Sequence, residues 1–510
     1  MAYTIQPQLL LASCLTSSCT LSSEAQSWID DLAEKVMSRP GKHVIASAIT
    51  TSGPTHLGTV EEFFFPSVIT NRLKEMGDDP DFIFIGDIMD AFDSVPNGVP
   101  GDLKPYLGKP LVDVPDPYGC HSSYGQHFLD DTVSFMNKLG VSPRVIPVIE
   151  LYQAGYYDSY VKMFFERLPA VREILSVTSL KQLPDSWMDI VMPVCEKCGN
   201  IATTRVTGFD GDYIYYVDDK DVGYAKGCGH SGKIPIKSHR WKMAWRLDWP
   251  TRQAFLGVTL EGAGKDHHTR GGSWDTAEAV HKQLFGREPP LTYRWGFVLL
   301  NGRKMSKSQG VGSLSVLMKY LPPEVLKYFL LRVDIEKDKN LDDSGEGLIR
   351  LIEDFEDNLK KPRDEKKRLA IHFSSPSSSW KVRFVSLLLA YELEGNWEGA
   401  KRRVGLDDDY LRPYVEAWVK SDKLPEEYRI VYRPRKAKGI ALEWIRSLTG
   451  NESGAEASQK LRDISSATGV PIEEAFSSVY ESLIGRKSGP RLSSLIDVLG
   501  LKRIIEDLRD

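Results

Sequence analysis

The chain has 510 residues, of which 41% are hydrophobic and 26% are charged, and its formal net charge is −5. This length predicts at least two or three domains, and the composition is that of a soluble globular enzyme. There is no overall basic excess, so any nucleic acid must meet local basic patches. Six cysteines exclude a disulfide-rich scaffold. No stretch approaches the roughly 20 apolar residues of a membrane helix, so we expect a cytoplasmic protein without a membrane partner.

The first residues do not form a convincing targeting segment. Leu11–Cys14 resembles a lipoprotein cleavage box, but no Lys or Arg precedes it. The apolar run is about six residues, which is too short for a secretory core. We interpret residues 1–23 as a disordered leader or as the product of a mis-assigned start codon.

The predicted elements alternate between helices and strands. Residues 24–38 are amphipathic and predict a helix. A second helix is expected from about Val60, with Thr59 and Glu62 as a capping box. Apolar runs predict buried strands at residues 43–50, 81–88, 144–150, 253–258 and 295–300. This alternation predicts a doubly wound α/β domain with a parallel sheet. Residues 191–240 break the pattern like an insertion, and the chain after Leu314 is predicted to be nearly all helix, with a helical bundle over about 350–510.

A first motif, Pro54–Thr59 (PTHLGT), lies between a predicted strand and a predicted helix. Gly58 has no Cβ, so a nucleotide can approach the backbone closely. The helix N-terminus offers N–H groups to phosphate, and His56 can donate to phosphate oxygens. The alternative is a plain strand–turn–helix connection whose histidine is incidental.

A second motif, Lys304–Ser308 (KMSKS), is flanked by glycines, as is typical of a loop that opens and closes. Lys304 and Lys307 are three residues apart and can reach the same polyphosphate. Ser306 and Ser308 add hydroxyl donors. The alternative is a solvated basic loop.

Three further segments carry a more specific signal: Trp245–Pro250 (WRLDWP), Gly264–Ser273 with its GKDH and GGS, and Gly485–Arg491 (GRKSGPR). With the two motifs above, they make the chain resemble the archaeal-type class I lysyl-tRNA synthetases from about residue 24 to the end. Thr51 and Thr59 depart from the family pattern, which has Pro at the first position and His or Asn at the second. Neither departure removes a charge.

The resemblance implies a Rossmann-like catalytic domain, a zinc-binding insertion and an all-α C-terminal domain. It implies activation of L-lysine with ATP and Mg²⁺, followed by transfer to tRNA(Lys). The implied division, in chain order, is a catalytic first half at 24–190 with a connective zinc segment near 116–127, a zinc-knuckle insertion at 191–240, a catalytic second half at 241–312, a stem-contact helical linker at 313–350 and an anticodon-binding domain at 351–510. The sequence leaves the oligomeric state open.

The resemblance also assigns site residues. The expected catalytic groups are His56, Lys304 and Lys307. The expected ATP-binding residues are Gly53, His56, Gly58, Thr59, Lys304, Ser306 and Lys307. A lysine pocket needs a carboxylate for the ε-ammonium, an aromatic wall for the methylene stem and a group for the α-ammonium. The candidates are Trp245, Asp248, Trp249, Asp266, His267, Tyr293 and Trp295, each of which is otherwise a core or cap residue.

Two clusters predict structural zinc. The first combines a carboxylate, a thiolate and two imidazoles within twelve residues, namely Asp116, Cys120, His121 and His127. The alternative is a polar loop. The second begins with the C-x-x-C turn of Cys195 and Cys198. The family implies a further ligand pair near residue 228, where Ala225 takes one expected position, so Cys228 and His230 are predicted to complete the site unless it is empty.

Two basic patches, residues 359–369 and 432–438, are candidates for contact with tRNA phosphates, the alternative being solvated helix faces. Two other functions compete. Glutamyl and cysteinyl class I synthetases share the two ATP motifs but differ in the more specific segments. A catalytically silent RNA-binding relative is disfavoured by the intact His56, Lys304 and Lys307.

Overall fold

A computed structural model describes residues 27–305 and 313–509. The predicted leader, and Ser306, Lys307 and Ser308 of the second motif, lie outside the described residues. The strands, in chain order, are β1 (Val44–Thr50), β2 (Asp81–Asp87), β3 (Arg144–Pro147), β4 (Val191–Pro193), β5 (Thr204–Phe209), β6 (Tyr213–Asp218), β7 (Ser231–Pro235), β8 (Trp241–Met243), β9 (Leu260–Glu261), β10 (Ala263–Gly264), β11 (Arg294–Trp295), β12 (Val298–Leu300), β13 (Arg303–Lys304) and β14 (Lys339–Leu341).

The helices, in chain order, are α1 (Trp28–Met37), α2 (Leu57–Glu75), α3 (Tyr124–Lys138), α4 (Val148–Gln153), α5 (Asp158–Glu166), α6 (Leu168–Ser179), α7 (Trp245–Leu256), α8 (Ser273–Gln283), α9 (Leu314–Leu317), α10 (Pro323–Leu331), α11 (Gly345–Lys360), α12 (Glu365–Ser374), α13 (Phe384–Glu394), α14 (Trp397–Val404), α15 (Arg412–Val419), α16 (Gly439–Ser447), α17 (Gly454–Thr468), α18 (Ile472–Ile484), α19 (Leu492–Leu499) and α20 (Leu501–Leu508). None of these is long and apolar enough to cross a membrane.

The main sheet is parallel, in the order β3-β2-β1-β9, and this confirms the predicted α/β class. Strand β2 is apolar on both faces because both are covered. Phe82 and Phe84 join a core with α2 and the C-terminal helices, whereas Ile83 and Ile85 join a core with the insertion. Thr50 is paired with Asp87, so the carboxyl ends of β1 and β2 meet, at the edge where open α/β sheets bind ligands.

Three local predictions were wrong. Residues 253–258 do not form a strand, because α7 continues to Leu256. Since α7 is buried on several faces, its buried residues do not follow the spacing of a one-sided helix, and the sequence pattern does not indicate a helix. Strand β3 ends at Pro147, and α4 begins at once. Helix α2 begins at Leu57 with His56 as its N-cap, so Thr59 lies in the first turn and its N–H donates to the His56 carbonyl at 2.9 Å.

The insertion between α6 and α7 consists of small antiparallel units, β4 with β8 and β5-β6-β7. Beyond Leu314 the described chain is helical apart from β14, as predicted. The first helices and the last share an apolar core, which extends from Ile29 to Leu508. The C-terminal helices therefore pack directly against the catalytic domain.

Candidate active site and metal clusters

The PTHLGT motif adjoins the described residues on both sides of 306–312. His56 forms an antiparallel bridge with Ser313, and the Leu314 N–H donates to the Thr55 carbonyl at 3.2 Å. On the other side of the second motif, the methyl carbon of Met305 lies 4.0 Å from the position that a Cβ on Gly58 would occupy. The described residues that precede and follow 306–312 therefore both lie against the PTHLGT turn.

Gly58 makes room for the imidazole of His56. A Cβ at this position would lie 3.1 Å from Cε1 and 3.2 Å from Nδ1 of the ring. Such contacts are tighter than ordinary van der Waals packing, so the ring would have to move. The absence of a side chain at Gly58 thus fixes where the imidazole lies at the start of α2.

Helix α3 holds the first motif in place. The Thr55 N–H and hydroxyl both donate to one oxygen of Asp131, at 3.1 and 2.7 Å. The Tyr124 hydroxyl donates to the Ser52 carbonyl at 2.9 Å. Gly53 is buried within this turn. The turn is therefore anchored to α3 at two points, and Asp131 contributes without having been indicated by a sequence motif.

Lys304 lies near the GKDH segment. Its ammonium lies 3.7 Å from the ring centroid of Phe297, within cation–π distance. Burial lowers the pKa of His267. The Asp266 carboxylate partly offsets this decrease, whereas nearby cations, including Lys304, lower the pKa further. His267 is thus kept neutral beside a lysine of the ATP motif.

The WRLDWP and GKDH segments form an aromatic wall. Trp245 and Trp249 are stacked at 5.5 Å, and the His267 ring meets them edge-on at 6.1 and 5.8 Å. The Trp245 indole donates to the Ser273 hydroxyl at 3.1 Å, and His267 Nδ1 lies 3.3 Å from the same oxygen. Ser273 therefore fixes both rings, which gives the GGS segment a structural role.

Tyr293 presents a buried phenol to the site. Its hydroxyl has no hydrogen-bond partner within the described part of the chain. Burial, followed by the carboxylates of Glu62 and Glu261, raises its pKa well above the ordinary value. A Cβ on Gly262 would lie 2.5 Å from the Tyr293 ring and 2.7 Å from Trp295, so only glycine allows this packing. An unpartnered hydroxyl next to two carboxylates suits a bound ammonium group.

Trp295 and the predicted carboxylates occupy other places. Trp295 is buried against Phe65 at 5.7 Å. Asp266 is exposed. Asp248 is fully buried, and its two oxygens accept hydrogen bonds from Tyr157 at 2.8 Å and Tyr152 at 3.1 Å. The structure therefore uses Asp248 in a buried network behind the aromatic wall.

Lys242 is the centre of that network. Its fully buried ammonium lies 2.8 Å from Asp87, pairs with Asp90 and lies 4.0 Å from Asp248. Burial opposes its charge, but the three carboxylates outweigh burial and raise the pKa of Lys242. The Thr50 hydroxyl donates to Asp90. Since Lys242 belongs to β8, this network ties the insertion to the carboxyl ends of β1 and β2.

The first predicted metal set comes together. One ligand atom from each of Asp116, Cys120, His121 and His127 lies within 4.8 Å of the others. Cys120 Sγ lies 3.0 Å from His121 Nδ1 and 3.4 Å from His127 Nδ1. Burial opposes ionisation of Asp116, but the backbone N–H groups of Tyr118, His121 and Cys120 lower its pKa below the usual range. The carboxylate is thus held charged.

The second set differs from the prediction in one ligand. Cys195, Cys198 and Cys228 converge with Asp218, again within 4.8 Å. His230 is not a member, and its ring lies 6.2 Å from that of Tyr216. The Asp218 N–H donates to the His230 carbonyl at 2.8 Å, and this pairing brings the aspartate into the ligand position.

Asp218 is well placed for that role. Its Oδ2 accepts from the Cys198 thiol at 3.0 Å and from the Cys228 N–H at 3.1 Å. Ala225 faces elsewhere: a Cβ on Gly108 would lie 2.7 Å from the Ala225 Cβ. Three cysteine sulfurs and a carboxylate form a four-donor set of the kind that zinc accepts.

Comparison with known proteins identifies the family of this chain. A family model described as "tRNA synthetases class I (K)" matches residues 26–375. The chain belongs to this family. A Lysine--tRNA ligase 1 from Methanosarcina acetivorans is 30% identical over 91% of this chain and 94% of its own length. A Lysine--tRNA ligase from Archaeoglobus fulgidus is 29% identical over 94% of this chain and 99% of its own length. A solved glutamate tRNA ligase from Elizabethkingia meningosepticum is 13% identical, with a TM-score of 0.39 over 92% of this chain and 98% of its own.

For a synthetase of this family, the sequence motifs missed several residues that surround the site. Glu62 is half-buried near the Tyr293 phenol rather than in a capping box. Glu261 accepts a hydrogen bond from Gln253 at 2.7 Å. The Arg252 guanidinium lies 5.0 Å from the Trp245 ring. Glu62 was interpreted as part of a capping box, and Arg252 and Glu261 lie just outside the predicted strand at 253–258, so no motif indicated them.

Proposed function

We propose that this chain is a lysine–tRNA ligase that activates L-lysine with ATP and transfers it to the 3′ end of tRNA(Lys). The observation that carries the proposal is the contact of the PTHLGT turn with Met305 and Ser313, on either side of 306–312, together with the aromatic wall and the Tyr293 hydroxyl, which has no partner in the described chain. Membership of the family and the full-length similarity to lysine–tRNA ligases support it. We assign the reaction to the cytoplasm, where ATP and tRNA are available.

In the first step, the lysine carboxylate attacks the α-phosphorus of ATP in line, and pyrophosphate leaves. The N–H groups at the start of α2 and the His56 imidazole would meet the charge on the phosphates. Lys304 and Lys307 would neutralise the departing pyrophosphate, with Lys307 the principal cation. Gly53, Gly58, Thr59 and Ser306 would seat the nucleotide. Bound Mg²⁺ would supply further neutralisation of phosphate charge.

In the second step, the terminal adenosine hydroxyl of the tRNA attacks the lysyl-adenylate carbonyl and AMP leaves. No side-chain nucleophile is required, because positioning and charge stabilisation lower the barrier. We assign residues 313–350 to contact with the tRNA stem and 351–510 to the anticodon.

For the amino acid, we propose that the Tyr293 hydroxyl and the Glu62 carboxylate receive the ε-ammonium. Trp245, Trp249 and His267 would line the methylene stem, since Lys stems pack on aromatic surfaces. Trp295 would support Tyr293 from behind. Asp248 contributes indirectly, by fixing the helix that carries the two tryptophans.

Both clusters fit structural zinc. Asp116, Cys120, His121 and His127 would hold one ion, and Cys195, Cys198, Asp218 and Cys228 the other, each a closed four-ligand set without an open position. Zinc bound there would brace the segment before α3 and the insertion. We expect two zinc ions per chain by elemental analysis. An Asp218→Ala variant should lose one ion, whereas His230→Ala should retain both.

The activity is tested by ATP–pyrophosphate exchange in the presence of tRNA, with lysine, glutamate and cysteine offered separately. We expect exchange with lysine alone, and near-complete loss in a Lys307→Ala variant. Exchange with glutamate or cysteine instead would replace the lysine assignment with another class I specificity. No exchange with any amino acid, together with retained tRNA binding, would indicate a silent RNA-binding relative.

A further inference from the structure

Two basic segments that are far apart in sequence meet on one surface of the C-terminal helices. The Arg433 N–H donates to the Leu483 carbonyl at 3.1 Å, and the Arg435 N–H donates to the Ser482 carbonyl at 2.8 Å. The Arg435 guanidinium lies 3.6 Å from the position of a Cβ on Gly485. The 432–438 segment therefore lies against the end of α18, where the GRKSGPR segment begins.

This surface carries cations that the chain does not neutralise. Arg433, Arg435, Lys438 and Lys487 are exposed, and none forms an ion pair with another residue in the described ranges. We call these four residues the C-terminal cationic surface. Arg486 differs, since it pairs with Glu426 at 2.8 Å. Unpaired cations at the surface keep their full attraction for an external polyanion.

The backbone beneath these cations is fixed. Besides the two hydrogen bonds to α18, the Ala437 N–H donates to the Leu508 carbonyl at 3.1 Å, so the segment is held at both ends. Pro434 restricts the backbone between the two arginines. A fixed backbone lowers the entropy lost when the side chains bind a partner.

Three cations of the other predicted basic patch, residues 359–369, are paired within the chain. Arg363 pairs with Asp354 at 3.4 Å, Lys366 with Asp334 at 3.8 Å, and Arg368 with Glu365. Lys367 donates to the Arg332 carbonyl at 2.9 Å. Lys360 and Lys361, at the start of this patch, are exposed and form no ion pair within the described ranges, so the patch keeps part of its charge. The C-terminal cationic surface differs in that all four of its cations are unpaired within the described ranges.

We propose that the C-terminal cationic surface binds the sugar–phosphate backbone of the tRNA, and that the paired cations Arg363, Lys366 and Arg368 do not. The proposal rests on the proposed function, because that function supplies the RNA. Guanidinium groups bind phosphate oxygens through two parallel N–H donors, and ammonium groups act as point charges. Such contacts position the RNA without reading its bases, so the contribution should not depend on sequence.

The test is tRNA binding by filter retention or anisotropy over a series of salt concentrations. A double variant, Arg435→Gln with Lys487→Gln, should bind about tenfold more weakly at low salt, and the slope of log K against log salt should fall by roughly 1 to 2. The matched control, Lys366→Gln with Arg368→Gln, removes the same number of cations from the paired patch and should bind as the wild type does. Thermal melting checks that both variants are folded.

The outcomes are separable. Wild-type affinity and slope in the Arg435/Lys487 variant would overturn the proposed surface, as would an equal loss in the control. If the variant loses tRNA binding while the wild-type enzyme fails to exchange with lysine, the surface stands and the amino-acid specificity falls. The KM for lysine in the variant, measured at saturating tRNA, should remain unchanged because the substitutions lie outside the amino-acid pocket.

Discussion

Substituting Gly58 with alanine should separate stability from activity. Gly58 is the second residue of α2, where alanine has the higher helix propensity, by up to about 1 kcal/mol. Alanine also reduces the freedom of the unfolded chain. The added Cβ would lie 3.1 Å from the His56 ring, which must move by a few tenths of an ångström. We therefore expect the midpoint of urea unfolding to be equal or higher.

The activity should change in the opposite direction. A displaced imidazole loses part of a hydrogen bond to a charged phosphate, worth roughly 1.5–3 kcal/mol, so kcat/KM for lysine-dependent pyrophosphate exchange should fall by about 10- to 100-fold. A double-mutant cycle sharpens the test. In a His56→Ala background, Gly58→Ala should cause no further loss, because the ring that it displaces is gone. Wild-type exchange in the single variant, or an undiminished loss in the His56→Ala background, would refute this account of Gly58.

Three further predictions concern buried polar groups. Tyr293→Phe should raise the KM for lysine about tenfold. It should not lower stability, because the hydroxyl that it removes has no partner in the described chain. A lower free energy of unfolding in urea would contradict this prediction. Lys242→Met should lower the free energy of unfolding in urea by about 3–5 kcal/mol, because it leaves buried carboxylates unpaired. The control Lys282→Met, at an exposed ion pair, should lower it by less than about 0.5 kcal/mol. Equal losses would contradict the role of Lys242 in the buried network. Burial lowers the pKa of His281 to about 4, so neutral His281 contributes roughly 3 kcal/mol to the free energy of unfolding above pH 6.5, and this contribution is lost as the pH falls toward 4. His281→Gln should therefore reduce the dependence of the unfolding free energy on pH between 6.5 and 4. An unchanged pH dependence would refute this prediction.

The sequence by itself determined the features that short segments encode. Strand–helix alternation and near-continuous apolar strands such as β2 predict a parallel sheet, because a strand covered on both faces needs apolar residues at every position. The family motifs carry their chemistry in adjacent residues, so PTHLGT and WRLDWP are recognisable without coordinates. The first metal set is equally local, since all four donors fall between residues 116 and 127.

Local elements were misjudged where burial or backbone pairing removes the local signal. Helix α7 is buried on more than one face, so its 253–256 portion looks like a strand. The choice of Asp218 over His230 depends on the pairing of two backbone segments, which no spacing between cysteines reveals.

Only the tertiary structure decided which charged groups are free to act. Asp248 and Asp266 are equivalent candidates in sequence, yet Asp248 is buried and accepts hydrogen bonds from two tyrosines, whereas Asp266 is exposed. The basic patches at 359–369 and 432–438 are also alike until their carboxylate partners are known. The sequence gives the position of each charged residue along the chain, but folding determines which opposite charges lie within a few ångströms of it. That distance determines whether the side chain stabilises the protein or remains available to a ligand.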